Sequence, residues 1–135
     1  MLAFALGRDL GIDIEQIRAD FATDDIAERF FSAYEVETLR ALPPEQHAEA
    51  FFTCWTRKEA FIKAIGEGLS CPLDKFDVTL GPEEPASLLA TRVEGQPASK
   101  WSMRSLDAGE GFKAAIVVEG QNWDLRVRSW EEATA

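Results

Sequence analysis

The stretch from Pro44 to Ile65 constrains the fold of this chain more than any other. Apolar residues recur there at helical spacing, Pro44 suits a first helical turn, and Gly66 and Gly68 close the far end. Arranged at about 100° per residue, Phe51, Phe52, Trp55, Phe61, Ile62 and Ile65 share one arc. Lys58 and Glu59 fall inside that arc, with Lys63 at its edge. Thr56, Glu49, Thr53 and Arg57 fall on the opposite, polar face. A charge within an apolar stripe is costly unless it is paired or coordinated. One resolution is a helical pair between Glu59 and Lys63, with Lys58 running its stem along the core. The other is chemistry.

Upstream, residues 2–6 ("LAFAL") and 10–15 ("LGIDIE") are short apolar or alternating runs joined by Gly7-Arg8-Asp9, which predicts a hairpin. Thr23 is placed to cap a helix over "DDIAERFF", with Asp24 and Asp25 in its first turn. "SAYEVETLRAL" forms a second helix that stops before Pro43-Pro44. Beyond "LSCPLDKFDVTL" the period changes. "LLATRVE", "KWSMRSL", "FKAAIVVE" and "WDLRVRSW" read as strands between glycine-rich turns. The expected fold is therefore α+β, an antiparallel sheet with a long helix packed on it. One domain over residues 1–130 is expected, with 131–135 as a frayed tail.

Composition narrows the function. The net charge of −10 and pI near 4.5 argue against nucleic acid or an anionic membrane as partner, since both rest on summed positive charge. No apolar run approaches the ~20 residues that span a bilayer. The first residues lack the basic region of a signal peptide, and the two cysteines make no disulfide framework. A cytoplasmic location is expected. The single histidine, His47, excludes His-rich metal sites.

On a strand, Asp13 and Glu15 share the face opposite Leu10, Ile12 and Ile14, with Cβ atoms roughly 7 Å apart. The pair could be a solvated outer face. If Glu59 joins them, three carboxylates converge with neither imidazole nor thiolate. Hard oxygen donors in that number suit Mg²⁺, which keeps waters and fills its shell with substrate phosphate. Lys58 and Lys63 would then flank Glu59 with positive charge for the same phosphates.

The combination of "GIDIE" with "WTRKEAFIKAIGEG", and of "RFFSAYEVETL" between them, resembles the 4′-phosphopantetheinyl transferases. It is closest to the surfactin-synthetase-activating type and more distantly similar to the holo-acyl-carrier-protein synthases. The matching positions are Gly11, Asp13, Glu15, Trp55, Lys58, Glu59, Ala60, Lys63, Gly66 and Gly68. The resemblance implies transfer of 4′-phosphopantetheine from coenzyme A to a serine of an apo acyl or peptidyl carrier protein, releasing adenosine 3′,5′-bisphosphate. It implies Asp13, Glu15 and Glu59 as Mg²⁺ ligands, Lys58 and Lys63 as phosphate contacts, and Lys58 as a catalytic residue that aids transfer. Glu35 is implied as the carboxylate that helps deprotonate the serine or position a water, and Gly66 and Gly68 as points of close backbone approach to coenzyme A. Enzymes of the surfactin-activating type have two similar halves, and this chain resembles the second. Two expectations follow: an enzyme completed by association, as a dimer or trimer or with a partner half, or a catalytically incomplete half acting as an interaction subunit. A Mg²⁺-dependent phosphohydrolase using the same carboxylates is the reading left if the resemblance is set aside.

Overall fold

Alternation along "LGIDIEQ" produces strand β1 (Leu10–Gln16), whose Gly11, Asp13 and Glu15 turn toward the long helix. The computed structural model describes residues 3, 5, 7–66 and 71–127. Two short helices follow β1. Helix α1 (Asp24–Phe30) is capped by Thr23, whose hydroxyl accepts from the Ile26 amide. Helix α2 (Ala33–Ala41) opens with a reciprocal capping box. Ser32 Oγ accepts from the Glu35 amide, and the Glu35 carboxylate accepts from the Ser32 amide at 2.9 Å. The chain turns at Leu42 and Pro43. A 3₁₀ turn at Pro44–Gln46 then leads into α3 (His47–Ile65), which ends at Gly66 with φ +72°.

Strands β2 (Phe76–Val78) and β3 (Leu88–Thr91) form a two-stranded antiparallel ribbon. Strands β4 (Trp101–Leu106) and β5 (Phe112–Glu119) form a hairpin, and β1 pairs with β5 on its other side. The resulting sheet has the order β1-β5-β4 and is antiparallel throughout, with Asp13 opposite Ala115 and Met103 opposite Val117. The expected α+β architecture, with a long helix on an antiparallel sheet, is the one observed.

Helix α3 lies across β1 and β5. The approach is so close that a Cβ on Gly11 would sit 2.1 Å from the Ala60 carbonyl oxygen and 2.4 Å from the Ala64 amide. Only glycine permits it. The same contact fixes Asp13, two residues on and on the same face, against the last turns of α3. On the other flank, Phe21, Phe30, Phe31, Phe51 and Trp55 pack ring against ring. Phe61 meets Phe76 with ring centroids 4.6 Å apart.

The structure differs from the sequence reading in several places. Half of the expected polar face of α3 is buried as well, with Thr56 1% and Arg57 5% exposed, while Glu49 stays exposed and Thr53 half-buried. Here the segment after β2 and strand β4 cover the helix on a side that its own periodicity leaves polar. "WDLRVRSW" supplies no strand over residues 123–127, and its last residues lie outside those described. Instead, Trp123 is held by side chains: its indole donates to Ser102 Oγ, and the Arg104 guanidinium lies 4.2 Å from its ring centroid. Pairing of residues 2–6 as the first arm of a hairpin falls largely outside the described residues, as do Gly68 and the 131–135 tail. Among the described residues, no helix is long and apolar enough to cross a membrane.

Candidate active site

Two clusters of charge surround α3, and the sequence-derived candidates divide between them. The first is Asp13, Glu15, Glu59 and Lys63. Strand β1 offers the first two on one face, and α3 offers Glu59 and Lys63 on adjacent turns. Asp13 is 6% exposed, so its face is not a solvated exterior. Its Oδ1 accepts from Lys63 Nζ at 2.7 Å, which means that Lys63 pairs across to the strand and not within the helix to Glu59. Asp13 Oδ2 is buried with no hydrogen-bond partner.

All three carboxyls are pushed above their ordinary pKa. For Asp13 the cause is burial, partly offset by Lys63. For Glu15 it is burial, then the charges of Asp13 and Glu59. For Glu59 it is burial, then Asp13. A positive charge placed among these three carboxylates would relieve the cost they impose on one another, as Lys63 already does in part. As placed, they do not close into a formed ion site, because no group of three or more His, Cys, Asp or Glu among the described residues is gathered for a metal. The donor set nevertheless fits a hard divalent ion. It is all oxygen, its charges are mutually repelled, and one buried oxygen is unsatisfied.

The second cluster is Glu35 and Lys58, and the structure does not join it to the first. Both side chains are 0% exposed. Lys58 Nζ donates to Glu35 Oε2 at 2.8 Å and to the Phe76 carbonyl at 2.5 Å, and sits 4.0 Å from the Phe76 ring centroid. Glu35 Oε2 also accepts from the Val78 amide at 2.7 Å. The pair thus ties α2, α3 and β2 together in the core. The lysine in the apolar stripe is therefore explained without a ligand, by an ion pair whose remaining hydrogen-bonding capacity is met by backbone. Contact between Lys58 and a phosphate would require it to leave this nest. Gly66 is accounted for by its left-handed φ as a helix C-cap, and a Cβ there would meet nothing within 4 Å.

Sequence reasoning missed Arg57, placed on the polar face but buried beside an open cavity. No signal in a single sequence separates such an arginine from a solvated one.

The fold agrees with what the chain is similar to. A family model described as the 4′-phosphopantetheinyl transferase superfamily matches residues 9–117. The chain belongs to the 4′-phosphopantetheinyl transferase superfamily. It is 40% identical over 116 residues to the 4′-phosphopantetheinyl transferase HetI of Nostoc sp. (strain PCC 7120), covering 86% of this chain and 46% of that protein. It is 32% identical over 125 residues to the 4′-phosphopantetheinyl transferase Sfp of Bacillus subtilis (strain 168), covering 91% of this chain and 53% of that one. The chain therefore spans about half the length of these curated relatives. Among solved structures, a holo-(acyl-carrier-protein) synthase from Bacillus anthracis, in complex with CoA (3′,5′-ADP), superposes with a TM-score of 0.66 at 23% identity. It covers 84% of this chain and 96% of that one, a likeness of fold.

Proposed function

We propose that this chain carries the metal- and phosphate-binding half of a 4′-phosphopantetheinyl transferase. In this reading it transfers 4′-phosphopantetheine from coenzyme A to the serine of an apo acyl or peptidyl carrier protein and releases adenosine 3′,5′-bisphosphate. The observation that carries the reading is the buried, unpartnered Oδ2 of Asp13 among three carboxylates whose pKa values are all raised. Asp13, Glu15 and Glu59 would hold Mg²⁺, which supplies charge neutralisation at the coenzyme A pyrophosphate. Lys63, half exposed on its pair with Asp13, is placed to exchange that partner for a phosphate oxygen. Glu35 and Lys58 serve from behind, holding the start of α2 and strand β2 in place against α3. The sheet and α3 give the carboxylates a rigid frame, and phosphoryl chemistry needs positioning and charge more than covalent help.

A second reading is a half-domain that is incomplete by itself. Its support is the apolar outer side of the sheet, where Ile14 is 40% and Phe112 42% exposed. Both readings include association, as a dimer or trimer or with a partner half, and a cytoplasmic location.

The test is incubation of the chain with apo carrier protein, coenzyme A and Mg²⁺, followed by intact-mass analysis of the carrier. A pantetheinyl mass gain supports the transferase. No gain at high enzyme, while a two-half relative modifies the same carrier, rules out stand-alone transfer and leaves the incomplete half.

A further inference from the structure

A cavity of about 660 Å³ opens between α3, strand β4, the start of β5 and the segment after β2, and none of the proposed transferase residues lines it. Arg57 lies at its wall. Arg57 and Glu59 are two residues apart on α3, which sets them about 160° apart around the helix. The two sites are on different sides, and the inference does not rest on the transferase reading.

Arg57 is 5% exposed, and its guanidinium meets only neutral oxygens. Nη1 donates to the Thr79 carbonyl at 2.6 Å and to Thr79 Oγ1 at 3.1 Å, and Nη2 donates to Ser105 Oγ at 3.0 Å. Among the described residues no carboxylate forms an ion pair with it. Glu84, whose charge acts on it, instead accepts from the Gly81 amide at 3.1 Å. The five donors of a guanidinium are not all used by these three bonds. None of these three bonds uses Nε. Arg57 is itself one of the residues that line the cavity. Nε together with the second Nη2 hydrogen makes the fork that takes a planar carboxylate with two parallel bonds. A nearly buried cation hydrogen-bonded only to neutral oxygens can take an anion, and although Glu49, Glu84 and Asp107 also line the cavity, none of them forms an ion pair with Arg57. Ala50, Leu80 and Met103 are buried apolar residues of the same lining, and Leu106 is partly buried.

We propose that this cavity binds a small organic acid, a carboxylate on a short apolar chain, with the carboxylate on the Nε–Nη2 edge of Arg57 and the chain against Ala50, Leu80, Met103 and Leu106. The ligand gains a charge-assisted, bidentate contact that a neutral analogue cannot make.

The test is a nitrogen–proton NMR titration of the full chain with hexanoate, with hexanol and hexylammonium as arms of the same length. Hexanoate is expected to shift the Arg57 Nε–Hε, Met103 and Ser105 resonances saturably, and hexanol to bind at least about tenfold more weakly. Hexylammonium is expected to leave these resonances unmoved. Arg57→Gln is expected to bring hexanoate down to the affinity of hexanol. Thr53→Phe adds bulk at another lining residue while keeping the charge, and is expected to weaken both. If Arg57→Gln does not fold, Thr53→Phe and the three-ligand comparison decide the matter in otherwise wild-type protein. Equal binding of hexanoate and hexanol, shifts confined to Lys63 and the carboxylate cluster, or no saturable shift up to about 50 mM would each overturn the proposal.

Discussion

Removing the ammonium of Lys58 should unfold much of this chain's margin of stability. Lys58→Met keeps nearly the same volume, so little cavity forms, but it strands the Glu35 carboxylate at 0% exposure with no cation, leaving it the Ser32 and Val78 amides and the Cys54 thiol. Breaking one side of a fully buried pair costs about 3–5 kcal/mol. A domain of this size has about 5–15 kcal/mol in total. With a urea slope near ~2 kcal/mol per molar, the midpoint should fall by roughly 2 M. Glu35→Met should cost a similar amount, because it leaves Lys58 with the Phe76 carbonyl and ring. The double variant buries no stranded charge, so it should cost less than the two singles added, with a coupling of at least about 2 kcal/mol. Equilibrium urea unfolding followed by Trp fluorescence reads all three. A Lys58→Met variant within about 1 kcal/mol of wild type would refute the structural role, since a lysine kept only for phosphate contributes nothing to folding without ligand.

Other outcomes follow from the same geometry. Gly11→Ala places a methyl 2.1 Å from the Ala60 carbonyl oxygen, and should cost more than about 3 kcal/mol or abolish folding, read by thermal melting. Ser32→Ala removes the acceptor for the Glu35 amide and should cost about 1 kcal/mol by the same melt. Without divalent ion, Asp13, Glu15 and Glu59 bind protons more tightly folded than unfolded, so the folded chain carries more protons between the ordinary carboxyl values and the raised ones. Stability should therefore decline as pH rises through that window. Glu59→Gln should flatten the decline and raise stability at neutral pH, measured by urea melts from pH 4.5 to 8. A variant with an unchanged slope contradicts the mutual-repulsion account.

Much of this was legible in the residues. Thr23 and Ser32 announced their helices, Pro43-Pro44 and Gly66 bounded α3, and "LGIDIEQ" placed Asp13 and Glu15 on one face. What could not be read was which lysine meets which acid. Helical spacing offers Glu59 to Lys63, yet Gly11 brings β1 so near that Asp13 takes Lys63 instead. Glu35 and Lys58 are 23 residues apart, and their meeting depends on how α2 docks, which no local pattern encodes. Arg57 was misplaced for the same reason, since the elements that bury it come later in the chain. Trp123 has strand-like neighbours, but its partners Ser102 and Arg104 are side chains, which alternation does not reveal.

The central claim is that Asp13, Glu15 and Glu59 form a divalent-ion site serving coenzyme A. Calorimetric titration of coenzyme A into the chain, with Mg²⁺ and again with chelator, tests it most directly. The account predicts binding that needs Mg²⁺ in the wild type and is lost in Asp13→Asn while the variant stays folded. Binding of equal strength with and without Mg²⁺, or a folded Asp13→Asn that binds like wild type, would contradict it.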